Sequence, residues 1–184
     1  MNAARKRLLS LVPKGARSAE IGVFKGSFSA EILNTIEPSK LYLIDPWMNF
    51  DDPGLKGAWY HKGSDNSMDA IHESVKARFE PQIEAGVVEI LRGKADEVID
   101  TIEDGSLDFC YIDGDHRYEG VAIDLELAMR KVAPNGRIGM DDLHLGSWWG
   151  DGVIRAANEF LGTYSDRLRI EFAAGSQLLI HKHA

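Results

Sequence analysis

Glu20-Ile-Gly22-Val-Phe24-Lys-Gly26-Ser27 joins a short apolar run, Ser18 to Gly22, to a segment of helical period, Ser27 to Ile36. A glycine-bearing turn between a strand and a helix is the repeating joint of a parallel α/β sheet. Working outward, further strand candidates are Leu41 to Asp45, Val87 to Leu91, Leu107 to Asp113 and Arg137 to Asp141. Helical segments fall between them at roughly Asp65 to Phe79, Ala95 to Ile102, Tyr118 to Val132 and Gly152 to Leu161, several preceded by Ser, Asp or Gly capping signals. After the last helix the pattern changes to Leu168 to Phe172, an Ala-Ala-Gly-Ser turn, and Gln177 to Ile180, which reads as a hairpin. The expected fold is therefore α/β: a doubly wound, Rossmann-like, seven-stranded and mostly parallel sheet ending in an antiparallel hairpin. Its two longest irregular stretches, Pro46 to Gly63 and Leu143 to Asp151, follow strand ends, the edge at which open α/β sheets bind ligands.

A chain of 184 residues, 44% hydrophobic, supports one core and is read as one domain. With 21 basic and 29 acidic residues the net charge is −8, which offers no broad basic surface to nucleic acid or anionic lipid and favours a small-molecule substrate. The basic cluster Arg5, Lys6 and Arg7 reads as the solvated face of a short N-terminal helix carrying Leu8, Leu9 and Leu11. A signal peptide is not expected, because the run Leu8 to Val12 is interrupted by Ser10 and ended by Pro13; no long apolar span follows, and a cytoplasmic location is expected. The lone Cys110 lies in the apolar run Leu107 to Ile112 and reads as a core residue.

Backbone amides at the turn of Gly22, Val23, Phe24, Gly26 and Ser27 are expected to face a ligand, with Gly22 permitting close approach. A dinucleotide fingerprint would carry glycine where Phe24 stands, and Glu20 would repel a pyrophosphate. A carboxylate at Glu20 instead suits the ammonium of an amino-acid moiety, directly or through water, and Asp45 at the next strand end suits both hydroxyls of a ribose. An amino acid joined to a ribose is S-adenosylmethionine. The same glycines also suit a tight turn that binds nothing.

The stretches Glu20 to Gly26, Ile44-Asp-Pro-Trp47, Asp108-Phe-Cys-Tyr-Ile-Asp-Gly-Asp-His116 and Gly139-Met-Asp-Asp142 resemble the class I methyltransferases, and more narrowly the short O-methyltransferases related to the macrolide-sugar and catechol enzymes. The resemblance covers nearly the whole chain. It implies that Gly93, Lys94 and Ala95 pass the adenine and that Trp47 lies near the ribose or adenine; Lys94 departs from the small polar or acidic residue usual in relatives.

Asp113 and the pair Asp141-Asp142 end the fourth and fifth strands and are expected to be neighbours. Three carboxylates call for a hard cation, Mg²⁺, Mn²⁺ or Ca²⁺, and in the relatives the metal ligands occupy these motif positions. The alternative is that Asp113 contacts the methionine part of the cofactor while Asp142 caps a turn. His116 is the candidate general base, or else a histidine that merely hydrogen-bonds Asp113 or Asp115; His144 is the runner-up base. Trp47, Trp59, Trp148 and Trp149 all fall in the two irregular stretches, as a substrate wall or a subunit interface would require. Either the substrate site is open or a second subunit completes it. The expected activity is methyl transfer to a hydroxyl of a small molecule. The rivals are a metal-independent methyltransferase of another acceptor, a non-catalytic nucleoside-binding protein and, weakest on the residues, a dehydrogenase.

Overall fold

The structure is a computed structural model and describes residues 3–62, 67–146 and 148–183. In chain order its elements are α1 (Ala3–Leu9), β1 (Arg17–Ile21), α2 (Ser27–Ile36), β2 (Lys40–Asp45), α3 (Met68–Arg78), α4 (Glu80–Glu84) and β3 (Val88–Arg92). There follow α5 (Ala95–Val98), β4 (Leu107–Ile112), α6 (Tyr118–Lys131), β5 (Val132–Met140), α7 (Gly152–Thr163), β6 (Leu168–Ala174) and β7 (Gln177–Lys182). The sheet order is β3-β2-β1-β4-β5-β7-β6. β1 to β5 pair in parallel, and β7 runs antiparallel to both β5 and β6. The order reverses at β1 and β4, which puts a crevice at the carboxyl ends of those strands.

Burial follows the two-residue period of a sheet covered on both faces. Ala19, Ile21, Tyr42, Ile44, Cys110 and Ile112 face α5, α6 and α7, whereas Leu41, Leu43, Phe109 and Tyr111 face α1, α2 and α3. Cys110 is a fully buried core residue, as expected.

Several boundaries differ from the sequence reading, three of them for a clear local reason. The helix expected from Asp65 begins at Met68, where the Ser67 hydroxyl accepts from the Ala70 amide; Asp65 and Gly63 lie outside the described residues. β5 starts at Val132, five residues before the expected Arg137, because the chain stays paired with β4 through the turn-like Pro134-Asn-Gly136 by way of a register shift. The hairpin turn is tighter than expected: Ala173 and Ala174 remain in β6, and Gly175 turns the chain with φ of +60°. Among the described residues no helix is long and apolar enough to cross a membrane.

Candidate active site

The turn after β1 is closed upon itself. Asp45, at the end of β2, accepts the amides of Val23 (3.0 Å) and Phe24 (2.9 Å) on Oδ2 and that of Trp47 (2.7 Å) on Oδ1. The Gly22 and Gly26 amides go to the carbonyls of Ile44 and Val23. These four turn amides, expected to face a ligand, therefore all bond within the chain. Gly22, at φ +88°, makes a close approach of a different kind from the one expected: a Cβ there would lie 2.0 Å from the Asp113 carbonyl oxygen, so the glycine serves the β1–β4 crossing. Gly26 lies under the Phe79 ring, and Ser27 is exposed at the start of α2. Of the roughly four lone-pair positions of a carboxylate, Asp45 has about one left, which suits one ribose hydroxyl rather than two.

Trp47 is not part of a ligand wall. Its side chain is buried, its indole Nε1 donates to the Phe24 carbonyl (2.8 Å), and its ring packs on His72. Beside Asp45, the Gly93 amide donates to the Asp45 carbonyl (3.1 Å), which brings Gly93 to Ala95 to the same edge. The Lys94 amide takes a hydrogen bond to Glu97, and its ammonium lies 5.6 Å from the centre of the Phe50 ring.

Glu20 lies 1% exposed beneath the crevice, where the Ser29 hydroxyl donates to it. Burial is the main cause that raises its pKa to about 8; the Ser29 bond opposes this, and the Asp113 charge adds to it. So buried a carboxylate reaches no ligand directly. The partly exposed carboxylate above it is Asp113, raised to about 6 by burial against the pull of Arg5 and His116.

Asp141 and Asp142 are adjacent in sequence but face different neighbours. The Asp141 Oδ1 accepts from the Asp142 amide (2.7 Å), the Ser176 hydroxyl (2.8 Å) and the Gln177 amide, whose oxygen takes the Tyr111 hydroxyl (2.6 Å). The remaining oxygen, Oδ2, is paired with Arg5. The Arg5 Nη2 also lies 3.0 Å from Asp113 Oδ2, and its guanidinium covers the Phe28 ring at 4.9 Å. Arg5, read from sequence as part of a solvated face, is thus inside the site. The signal for it was present: on a helix Arg5 shares the face of Leu8 and Leu9, both fully buried, while Lys6 and Arg7 point to solvent.

Asp142, held at φ +53°, turns the other way. Its Oδ2 meets His116 Nε2 at 2.7 Å and its Oδ1 meets His144 Nε2 at 3.2 Å, while His116 Nε2 lies 3.7 Å from Asp113. The group that the structure assembles is therefore Asp113, His116 and Asp142, not the expected Asp113, Asp141 and Asp142. For His116, burial pushes the pKa down, but the hydrogen bond to Asp142 and the charges of Asp113, Asp142 and Asp115 outweigh it, and the net position is raised. Asp142 is correspondingly lowered by His116. His144 is half-exposed, with Nδ1 directed at the Leu145 carbonyl.

Two tryptophans cover this group. Trp148 and Trp149 pack on His116 with ring centres 5.7 and 4.9 Å away, and Tyr60 stands 6.1 Å from Trp148. Trp59 lies against Phe24, 63% exposed. Three buried polar atoms in this region have no protein partner: His116 Nδ1, Trp149 Nε1 and the Tyr60 hydroxyl. Buried polar atoms are normally paired, and three unpaired ones lie close together here. Tyr60 escaped the sequence reading because one tyrosine in a long loop carries no periodic signal.

A family model described as a methyltransferase domain matches residues 19–143. Among solved structures, the O-methyltransferase TomG from Streptomyces achromogenes, in complex with SAM, is 17% identical with a TM-score of 0.66; the match covers 100% of this chain and 82% of that one. A precorrin-6y C5,15-methyltransferase from Geobacter metallireducens is 15% identical with a TM-score of 0.64, covering 98% and 87%. The tRNA methyltransferase TrmK of B. subtilis is 16% identical with a TM-score of 0.60, covering 100% and 67%. No curated protein matches the chain by sequence. At such identities the structural likeness establishes a shared fold, and the three acceptors named differ.

Proposed function

The chain belongs to the methyltransferase-domain family, and from that premise we propose that it transfers a methyl group from S-adenosylmethionine to a hydroxyl oxygen of a small molecule. The observation that carries the reading is His116: Asp142 holds one ring nitrogen, and the other is buried without a partner under two tryptophans.

The residues present suit the cofactor. With the Val23 and Phe24 amides bonded to Asp45 and those of Gly22 and Gly26 to backbone carbonyls, these four are not offered to a pyrophosphate, whereas one acceptor position on Asp45 suits a ribose hydroxyl. Asp113, the partly exposed carboxylate at the β4 end, suits the ammonium, with Glu20 buried below it as its support. Gly93 to Ala95, beside Asp45, suit the adenine. A divalent ion at the expected seat does not suit them, because both oxygens of Asp141 are taken by protein donors.

When bound, S-adenosylmethionine supplies an electrophilic methyl group on a sulfonium. The chain's own part is positioning and proton removal. Ionised Asp142 only accepts, so His116 Nε2 carries the hydrogen and Nδ1 is the lone-pair nitrogen. Nδ1 takes the acceptor hydroxyl's proton, and Asp142 holds the ring and stabilises the imidazolium that results. Trp148 and Trp149 exclude water from this nitrogen and offer aromatic faces to the acceptor. The likeness of the strand-end motifs to macrolide-sugar and catechol enzymes supports oxygen as the atom methylated. A net charge of −8 supports a small acceptor over nucleic acid.

The test is release of S-adenosylhomocysteine with a panel of phenols, catechols and sugar alcohols, followed by mass spectrometry of the product. A methyl ether is the expected product. A methyl group found on nitrogen or carbon would overturn the hydroxyl assignment.

A further inference from the structure

We propose that Arg5 is a tethered cation: its guanidinium occupies the seat between Asp113 and Asp141 that a divalent ion would otherwise take, and latches helix α1 over the site. The inference rests on the methyltransferase reading only for where the site lies.

The geometry supports it from both sides. Asp141 cannot ligate an ion as it stands, because Oδ1 serves three donors, from β7, the β6–β7 turn and its own loop, and Oδ2 serves Arg5. Asp113 Oδ2 meets the same Nη2 at 3.0 Å, so one nitrogen bridges the ends of β4 and β5. This is not a surface ion pair. The Arg5 side chain is 26% exposed, that of Asp141 4%, and the guanidinium is covered by Phe28. A planar donor fork suits two carboxylates held side by side, and its charge offsets theirs without the loss of water that a divalent ion would have to suffer.

The helix that carries Arg5 is anchored to deliver it. Leu8 and Leu9 are fully buried on the same face, and α1 lies over the β6–β7 turn, where a Cβ on Gly175 would sit 3.5 Å from the Ala4 methyl. Tyr111, Gln177, Asp141, Arg5 and Asp113 form one chain of polar contacts from the core of β4 to the crevice. Arg5 is accordingly a positioning residue. It holds Asp113 and Asp141 in register and fills the seat between them.

The experiment is a titration of the full-length protein with Mn²⁺, read by the loss of the free-ion electron paramagnetic resonance signal. Wild type should leave the signal unchanged. Arg5→Gln should bind Mn²⁺ at least about tenfold more tightly, since even in bulk water a unit positive charge about 4 Å from a divalent ion weakens its binding by more than that. Arg5→Lys should restore exclusion, and Asp141→Asn added to Arg5→Gln should abolish the gain. Arg5→Met, which keeps the apolar stem, is the second neutral variant if Arg5→Gln does not fold. Mn²⁺ binding by wild type as tight as by the neutral variants, or no binding by either variant, would overturn the proposal. Binding of S-adenosylhomocysteine by wild type is measured in parallel. Its absence would count against the methyltransferase reading and leave the Mn²⁺ result to judge Arg5.

Discussion

The two halves of the carboxyl edge are built on opposite plans. At the ends of β1 and β2, polar groups close on the chain itself: Asp45 accepts three amides, the Trp47 indole donates to a carbonyl, and Ser29 donates to the buried Glu20. At the ends of β4 and β5, His116 Nδ1 and Trp149 Nε1 are buried without a protein partner, as is the Tyr60 hydroxyl of the facing loop after β2, and one histidine stands between two aspartates. The first half is thus bonded within the chain, with about one acceptor position of Asp45 left over. The second leaves polar groups unbonded. Satisfied polar networks rigidify a site, whereas unsatisfied ones mark where an incoming molecule supplies the missing partners.

The largest effect should come from the unfinished half. His116→Asn should lower turnover by about 10²–10⁴-fold while S-adenosylhomocysteine affinity stays near that of wild type. A near-normal rate would transfer proton removal to another group, His144 first. The comparison sharpens through pH. Because His116 is held above its ordinary pKa, wild-type turnover should rise with pH along a limb on the alkaline side of about 6.5 as the base loses its proton. Asp142→Asn removes the carboxylate charge that helps to raise it, so the limb should move toward acid; an unmoved limb would separate Asp142 from the base.

In the finished half the effect should fall on binding and stability together. Asp45→Ala leaves three amides without their acceptor, and should lower the melting temperature by roughly 3–10 °C and weaken S-adenosylhomocysteine by about tenfold or more. Unchanged melting with weakened binding would mean that the turn does not depend on Asp45. The smallest effect is that of Glu20→Gln. Glu20 keeps its proton to about pH 8 when folded, whereas an exposed glutamate loses it near pH 4.5, so this group's contribution is full below about 4.5 and is lost as pH rises through 8. Asp124, buried on α6 and likewise raised to about 8 by burial, acts in the same direction. Glu20→Gln should therefore flatten, without abolishing, the fall in melting temperature between pH 5 and 8.5. An equally steep fall would show that Glu20 is ionised when folded.

Much of this organisation is legible in residues 18 to 45, where near-continuous apolar strands and a glycine turn permit few arrangements. The candidate base at His116 is legible for a similar reason, since it follows a strand end in a motif. Other parts escape because they depend on direction. Asp141 and Asp142 look like a matched pair, but successive residues at a strand end point apart, one to Gln177 and the other to His116. Trp47 shares a loop with Trp59, yet its indole turns inward to the Phe24 carbonyl while Trp59 stays exposed. Arg5 lies 108 residues from Asp113, so its place on the Leu8 and Leu9 face can be read from the helix period but the carboxylates it meets cannot.

The central claim, that this edge holds an adenosyl amino acid, is tested most directly by calorimetry of the wild-type protein with S-adenosylhomocysteine and, separately, with NAD. The account predicts saturable one-to-one binding of S-adenosylhomocysteine and none of NAD. Binding of NAD without S-adenosylhomocysteine would contradict it.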